Sequence, residues 1–412
     1  MARRHGISSA PTIALCVLAL LTLGVVMVSS ADMAVSPLGA DTPAEPVTLQ
    51  SILTSQPARY MGLALIAFAI GWAIPVTRLA DRLATPAEPH LPKIARLEVW
   101  LLAGATLAVL AVVASVYIPG LGKSVNGAFR WIEIAGNRAQ PSEIAKWAVP
   151  ALLAWWCARR AALMPSFLRG TAPAMLAVGL IAGLIILEDL GTGALIVAVA
   201  GITMLAAGTR VMHFAMFLPL AAVGIVAAII TSPYRVQRLL TFMDPYADPQ
   251  GTGYHMLQSL TTIAGGGPFG RGLGHGLQKF GYLPEDTTDF LFAVICEELG
   301  IAGAAIVCAL YALLIATILG ITLRQTRPAL KLFTTAVLAT IGLQAIINLF
   351  VVTGLGPTKG IALPLLSAGG TGWILTSFCL GLVAAADRSA TLELTTDIEA
   401  DYDDPAAVAH PA

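Results

Sequence analysis

The chain has 412 residues, of which 57% are apolar before its 39 glycines are counted and 12% are charged, about half the charged share of a soluble domain. That composition excludes an ordinary soluble enzyme. Lys+Arg and Asp+Glu both total 24, so no net field draws the chain to nucleic acid, which is left without support as a partner. Measured against the roughly 20 residues that cross a bilayer, ten apolar runs stand out. They lie near 12 to 30, 60 to 76, 98 to 118, 143 to 158, 172 to 187, 190 to 208, 211 to 231, 290 to 323, 329 to 353 and 361 to 386. The expected class is an all-α polytopic integral membrane protein of about 10 transmembrane helices, with a large extracytoplasmic loop, 232–289, between helices 7 and 8. The fourth and fifth runs are short and need neighbours or interfacial tryptophans such as Trp155 and Trp156.

Orientation follows from the loop cations. With residues 1–11 in the cytoplasm, 14 of the 24 lysines and arginines fall inside, and eight of the other ten crowd into two outer segments, Lys123 to Lys146 and Arg235 to Lys279. Both termini are then cytoplasmic. Arg3 and Arg4 before a short apolar stretch ending Val28-Ser29-Ser30-Ala31 also fit a secretory signal, whose removal would leave every later orientation unchanged. Residues 31 to 58 read as a low-complexity outer loop. The acidic tail 389–412, with Glu393, Asp397, Glu399, Asp401, Asp403 and Asp404, has little to bury and is expected to be disordered. The five cysteines fall within or at the ends of apolar runs and read as small core residues; no metal-ligand spacing occurs.

The chemistry-bearing residues lie in the outer loops. Between the third and fourth runs come Asn126-Gly127, Arg130-Trp131 and Gln140-Pro141-Ser142-Glu143-Ile144-Ala145-Lys146. Ser142 before Glu143 reads first as a helix-start signature, yet Lys146 falls just inside the membrane boundary, where a charge needs a partner or a wet cavity. Glu188 and Asp189 occupy the turn between the fifth and sixth runs. In the long loop, Tyr234 to Phe242 alternates as an interfacial amphipathic helix would, carrying Arg235 and Arg238. The run Gly265 to Gly274 invites a phosphate-cradle reading, but no Lys-Ser or Lys-Thr follows and the spacing fails at His275, so tight turns or close packing explain it better. The run 290 to 323, about 51 Å as a straight helix against a core of about 30 Å, must project outward or bend. At its start Thr288 suits an N-cap and Asp289 the first helical turn, with Glu297 and Glu298 at the outer boundary. Lys359 precedes the tenth run. Singly these are interfacial anchors; acids and bases from several loops over one face together suggest an anionic lipid-linked substrate.

Taken in order, Asn126-Gly127-x-x-Arg130-Trp131, Gln140-Pro141-Ser142-Glu143-x-x-Lys146, Asp189-Leu190-Gly191-Thr192, Gly253-Tyr254-His255-x-x-Gln258-Ser259, Leu283-Pro284-Glu285-x-x-Thr288-Asp289-Phe290 and Glu297-Glu298-Leu299-Gly300 resemble the SEDS family of FtsW/RodA type. The resemblance runs from about residue 12 to 388. Pro357-Thr358-Lys359-Gly360 and Leu277-Gln278-Lys279 lie nearer the family's division branch, and His255 nearer its elongation branch. The resemblance implies a peptidoglycan glycosyltransferase that polymerises lipid II at the outer face of the bacterial cytoplasmic membrane, in cell division. It also implies a class B penicillin-binding protein transpeptidase and divisome proteins as partners. Asp289 maps onto the family's catalytic aspartate, while Arg130, Glu143, Lys146, Asp189, Arg235, Arg238, Gln258, Ser259, Lys279, Glu297 and Lys359 are the candidate substrate-binding residues. No cofactor or metal ligand is demanded, although a divalent cation (Mg or Mn) could share the diphosphate charge with the basic groups. The chain departs from the family pattern at Asp286-Thr287, Leu187-Glu188 and Ala368. Two other classes stay open on the residues alone: a lipid II transporter with Glu297, Glu298, Gln344 and Asn348 along its path, and a non-catalytic scaffold for division enzymes.

Overall fold

The structure, a computed structural model, describes residues 9–31, 49–83, 92–125, 128–134, 137–231, 233–277, 283–357 and 360–403. In chain order the elements are α1 (Ala10–Ala31), α2 (Leu49–Thr54), α3 (Gln56–Ala73), α4 (Val76–Leu83), α5 (Pro92–Ala114), β1 (Gly122–Val125), β2 (Ala128–Ile134) and β3 (Asn137–Ala139). There follow α6 (Pro141–Arg159), α7 (Ala172–Glu188), α8 (Leu190–Ala206), α9 (Val211–Ile230), α10 (Pro233–Met243), α11 (Tyr254–Gly266), α12 (Leu291–Arg324), α13 (Pro328–Val352) and α14 (Gly370–Asp403). Every apolar run of the sequence carries a helix. Among the described residues, six helical segments are long and apolar enough to cross a membrane, and α3 with α4, bent by 58°, would make a seventh. The apolar α8 and the Val211–Gly224 part of α9 are shorter, and α6 carries Glu143, Lys146 and Arg159. The chain is a polytopic helical membrane protein.

Three expectations need correction. The class is not purely helical, because β1, β2 and β3 form an antiparallel sheet in that order, with Lys123 opposite Trp131 and Glu133 opposite Arg138. In Phe129-Arg130-Trp131-Ile132-Glu133-Ile134, rich in aromatic and β-branched residues, Ile132 is buried and Glu133 reaches Lys123 at 2.6 Å. The tenth helix begins at Gly370, while 361–369 is an irregular buried segment: Pro364 and Leu365, at φ 65°, do not continue a helix. Such backbone is tolerated at membrane depth when protein satisfies it. Here Ser367 Oγ accepts from Leu363 N at 3.0 Å and Tyr311 donates to Pro364 O at 2.6 Å. The helix α14 runs through 389–403, and 404–412 lie outside the described residues. Lastly, neither predicted cap forms. The first turn of α6 follows Gln140, putting Ser142 inside the helix, and α12 follows Phe290 without a side-chain cap, leaving Thr288 and Asp289 in the preceding turn.

The long α12 bends as its length requires. Gly300, at φ 67°, breaks its helical geometry, and the backbone of Phe269 and Gly270 occupies the place a β-carbon would take. The glycine-rich run is thereby a cap over α12. Glu298 accepts from Ser30 Oγ at 2.7 Å, Gly274 N at 3.1 Å and Gly276 N at 3.3 Å, and Glu297 accepts from Leu277 N at 2.9 Å. Two apolar clusters form the bundle: α1, α12, α13 and α14 with the 361–369 segment make one, and α5, α6, α7 and α8 the other. Because α6 contributes Trp147 to the first and Ala145 and Val149 to the second, its Lys146 is held at their junction. At the other end of the bundle Asp387 ties α14 to α1 and α12, accepting from Ser9 N at 2.6 Å and pairing with Arg324 at 3.0 Å.

Candidate active site

Asp289 ends the turn Glu285 to Phe290, which closes on Glu285 at φ 57° through bonds from Thr288 N at 3.2 Å and Phe290 N at 3.1 Å to its carbonyl. The Thr288 hydroxyl also donates to the Glu285 carboxylate at 2.9 Å. Across from the turn lies the 360–363 segment, where Gly360 stands against the Asp289 carboxyl so closely that a β-carbon would come 2.8 Å from Oδ2. Burial, with the charges of Glu285 and Asp189, pushes the Asp289 carboxyl up to about 7, while Arg238 and Arg130 pull the other way. Two acids and two arginines from four separate elements therefore face one carboxyl.

Each is placed by its own element. Asp189 is the N-cap of α8, accepting from Thr192 N at 3.0 Å and Thr192 Oγ1 at 2.8 Å. Arg130 projects from β2 and donates from Nε to the Glu188 carbonyl at 2.9 Å. The Glu188 carboxylate in turn accepts from Phe129 N at 2.8 Å and Tyr117 Oη at 3.0 Å, docking the sheet onto the α7–α8 corner. Arg130, Ser142, Glu188 and Asp189 rim a small cleft whose apolar walls include Val113, Val116, Leu184 and Ile185. Arg238 comes from α10, the amphipathic helix anticipated from the sequence. His255 of α11 lies 6.2 Å from the Phe290 ring, and burial and Arg238 hold its imidazole below the usual range against the pull of Glu285.

A second polar group lies on α6 and α13. Lys146, buried, donates to both carboxylate oxygens of Glu143 at 2.7 Å and to Gln344 Oε1 at 3.1 Å. Gln344 Nε2 reaches Ala362 O at 2.7 Å; one turn on, Asn348 Nδ2 reaches Ile361 O at 2.7 Å and Asp289 O at 2.8 Å. The amide pair thus connects the Lys146 ion pair to the Asp289 turn through one backbone segment. An apolar helix with two amides at i and i+4 was the available signal for this role.

Other candidates fall elsewhere. Ser259 is buried and donates to Val352 O at 2.8 Å, fastening α11 to α13. Gln258 is half-buried on α11, its carbonyl taken by Thr262 Oγ1 at 2.6 Å. Glu297 accepts from Leu277 N in the glycine-rich cap and lies 3.5 Å from Arg271, and Glu298 sits in the same cap. Lys279, Lys359 and the side chain of Arg235 lie outside the described residues. Among the described residues no group of three carboxylate, imidazole or thiol side chains could hold a metal ion.

Comparison with known proteins gives a consistent set of similarities. The profile of the FtsW/RodA/SpoVE family, described as cell cycle proteins, matches residues 11–392. A probable peptidoglycan glycosyltransferase FtsW from Alkalilimnicola ehrlichii (strain ATCC BAA-1101 / DSM 17681 / MLHE-1) is 37% identical over 92% of this chain and 89% of its own length. Stage V sporulation protein E from Bacillus subtilis (strain 168) is 38% identical over 66% of this chain and 75% of its own. Among solved structures, a chain from a peptidoglycan synthase complex, reported for its structural coordination of polymerization and crosslinking, superposes with a TM-score of 0.65 at 26% identity, covering 92% of this chain and 97% of that one.

Proposed function

The chain belongs to the FtsW/RodA/SpoVE family of cell cycle proteins, and from that premise we propose that it is a peptidoglycan glycosyltransferase polymerising lipid II, with Asp289 as general base. The observation that carries the assignment is the Asp289 carboxyl itself: half-buried against Gly360, within the influence of two arginines, and pushed up to about 7, where a base for a sugar hydroxyl is most effective near neutral pH. In the step, the 4-hydroxyl of the acceptor GlcNAc gives its proton to Asp289 as its oxygen bonds to the anomeric carbon of the donor. The donor's bond to the diphosphate oxygen breaks, and undecaprenyl diphosphate leaves with the electron pair. Arg130 and Arg238 oppose the negative charge that develops on that leaving group. Lys146 holds the α6–α13 junction through Gln344 and acts on geometry.

Ten spans, with 232–289 outside and both termini in the cytoplasm of a bacterial inner membrane, complete the proposal, and the loop cations support it. Impermeant thiol labelling of cysteines placed at Asp248 and Thr395 in a variant lacking the native five tests it: 248 should label in intact cells and 395 should not. The proposed partner is a class B penicillin-binding protein transpeptidase, within the division machinery. Its support is the FtsW name of a relative covering nearly the whole chain and the synthase complex whose chain this one resembles. The deciding experiment supplies labelled lipid II to the purified chain with its cognate transpeptidase, and follows glycan strands and, in vesicles, lipid II flipping separately. Strands without flipping are expected; flipping without strands would overturn the assignment.

A further inference from the structure

Asn348 is 1% exposed, near the end of α13, and its amide serves two segments at once. Nδ2 donates to Asp289 O at 2.8 Å and to Ile361 O at 2.7 Å. Those carbonyls belong to the two stretches that bracket the Asp289 carboxyl, for Gly360, beside Ile361, is the residue against which Oδ2 rests. The remaining polar atom, Oδ1, is buried with no hydrogen-bond partner among the described residues. Buried amide oxygens are nearly always satisfied, and an amide placed only for packing would be expected to satisfy both of its ends. Gln344, one turn earlier on the same face, uses both: Oε1 accepts from Lys146 and Nε2 donates to Ala362. Asn348 instead leaves its acceptor open while its donor spans the gap beside the carboxyl.

We propose that Asn348 is a positioning residue for Asp289, setting the separation between its turn and the Gly360–Ile361 backbone so that the carboxylate is presented to the attacking hydroxyl in one orientation. The inference rests on the reading of Asp289 as the base. The charged groups that face that carboxyl are Glu285 from its own turn, Asp189 at the start of α8, Arg238 from α10 and Arg130 from β2, and none of them depends on Asn348 for a bond the structure shows. Releasing the clamp therefore changes the hydration and aim of the carboxyl while its charged surroundings stay in place. Water admitted to the gap lowers the carboxyl toward the ordinary range, which weakens it as a base even as it ionises at lower pH.

The test uses the full chain with its cognate transpeptidase and labelled lipid II, comparing Asn348→Leu, Gly360→Ala and Asp289→Asn by kcat, KM, pH profile and thermal unfolding. Asn348→Leu keeps the volume and removes the donor. Gly360→Ala leaves α13 untouched and drives a methyl against Asp289 Oδ2. Both should lose about 10- to 100-fold in kcat with KM within about twofold, as expected for a misaimed catalytic group. In Asn348→Leu the acidic limb of the profile should also move to lower pH. If Asn348→Leu does not fold, Gly360→Ala decides alone. The proposal is overturned if the folded variants keep the wild-type kcat and pH limb while Asp289→Asn is inactive, or if their loss follows thermal stability with the limb unmoved. Should Asp289→Asn itself polymerise at the wild-type rate, the assignment of the base fails first, and the positioning role with it.

Discussion

Replacing Lys146 by methionine keeps its stem and removes the charge from a group with three bonds, two of 2.7 Å to Glu143 and one of 3.1 Å to Gln344. The ammonium side chain is 4% exposed and that of its partner 15%, so water replaces little of what is lost. Breaking a pair of this kind by removing one member costs about 3 to 5 kcal/mol, because the survivor is left as an uncompensated charge. For Lys146→Met the lower end applies, since the Glu143 carboxylate can hydrate through its remaining exposure. For Glu143→Leu the upper end applies, because it strands the deeper ammonium. Removing both charges should recover most of the loss, leaving about 1 kcal/mol for the Gln344 oxygen that has lost its donor. Unfolding in detergent, followed by tryptophan fluorescence across the two single variants and the double, measures the difference. The double variant should be more stable than Glu143→Leu alone, with a coupling of at least about 2 kcal/mol. Additive losses, or single variants with wild-type stability, would mean the pair is screened like a surface ion pair and would refute the reasoning.

Three further outcomes follow from the same geometry. With the Asp289 carboxyl at about 7, polymerisation should rise with pH, reach half its maximum near 7 and level above it; a limb centred near the ordinary 3.8 would contradict the burial argument. The same shift bears on stability with a definite sign. A carboxyl raised in the folded state imposes no penalty below its unfolded value of 3.8, and the penalty grows as pH rises through about 7. Asp289→Asn, always neutral, should thus unfold at a higher temperature than wild type at pH 8, with the gap closing toward pH 4, and a variant less stable at pH 8 would argue for a structural role instead. Glu298→Leu strands the donors of Ser30, Gly274 and Gly276 and should cost about 3 kcal/mol or more, whereas Glu298→Gln, keeping one acceptor oxygen, should cost less; equal thermal stability of wild type and Glu298→Leu would count against the cap.

The helices were legible because a membrane-spanning run signals itself over many residues, and the long run before Arg324 bends as its length demanded. The sheet is hard to read from sequence because Trp131-Ile132 breaks the alternation of Phe129 to Ile134 and the strands are few and short. Pro364 and Gly369-Gly370 mark why the last helix starts late, a local signal overridden by the hydrophobicity around it. At the site, Asp289, Arg130, Arg238 and Asp189 were all named from sequence, because charge on outer loops of an apolar chain is conspicuous. What charge could not reveal is allegiance. Glu297 is as acidic as Glu285, yet one closes a glycine-rich cap and the other faces Asp289. Gln344 and Asn348 carry no charge, and their part in joining Lys146 to the Asp289 turn emerges only when residues 361 and 362 are seen to pass between them.

The central claim is that Asp289 takes the proton from the acceptor hydroxyl, and Asp289→Asn, tested with Asp286→Asn in combination, addresses it most directly. The asparagine retains the size of the side chain and removes the basic oxygen, so the protein should insert, fold and bind lipid II. Polymerisation of labelled lipid II by the purified variant with its cognate transpeptidase should fall by at least about 10² to 10⁴ in rate, the contribution expected of a general base. Glycan strands formed at near wild-type rates by both the single and the double variant would contradict the account.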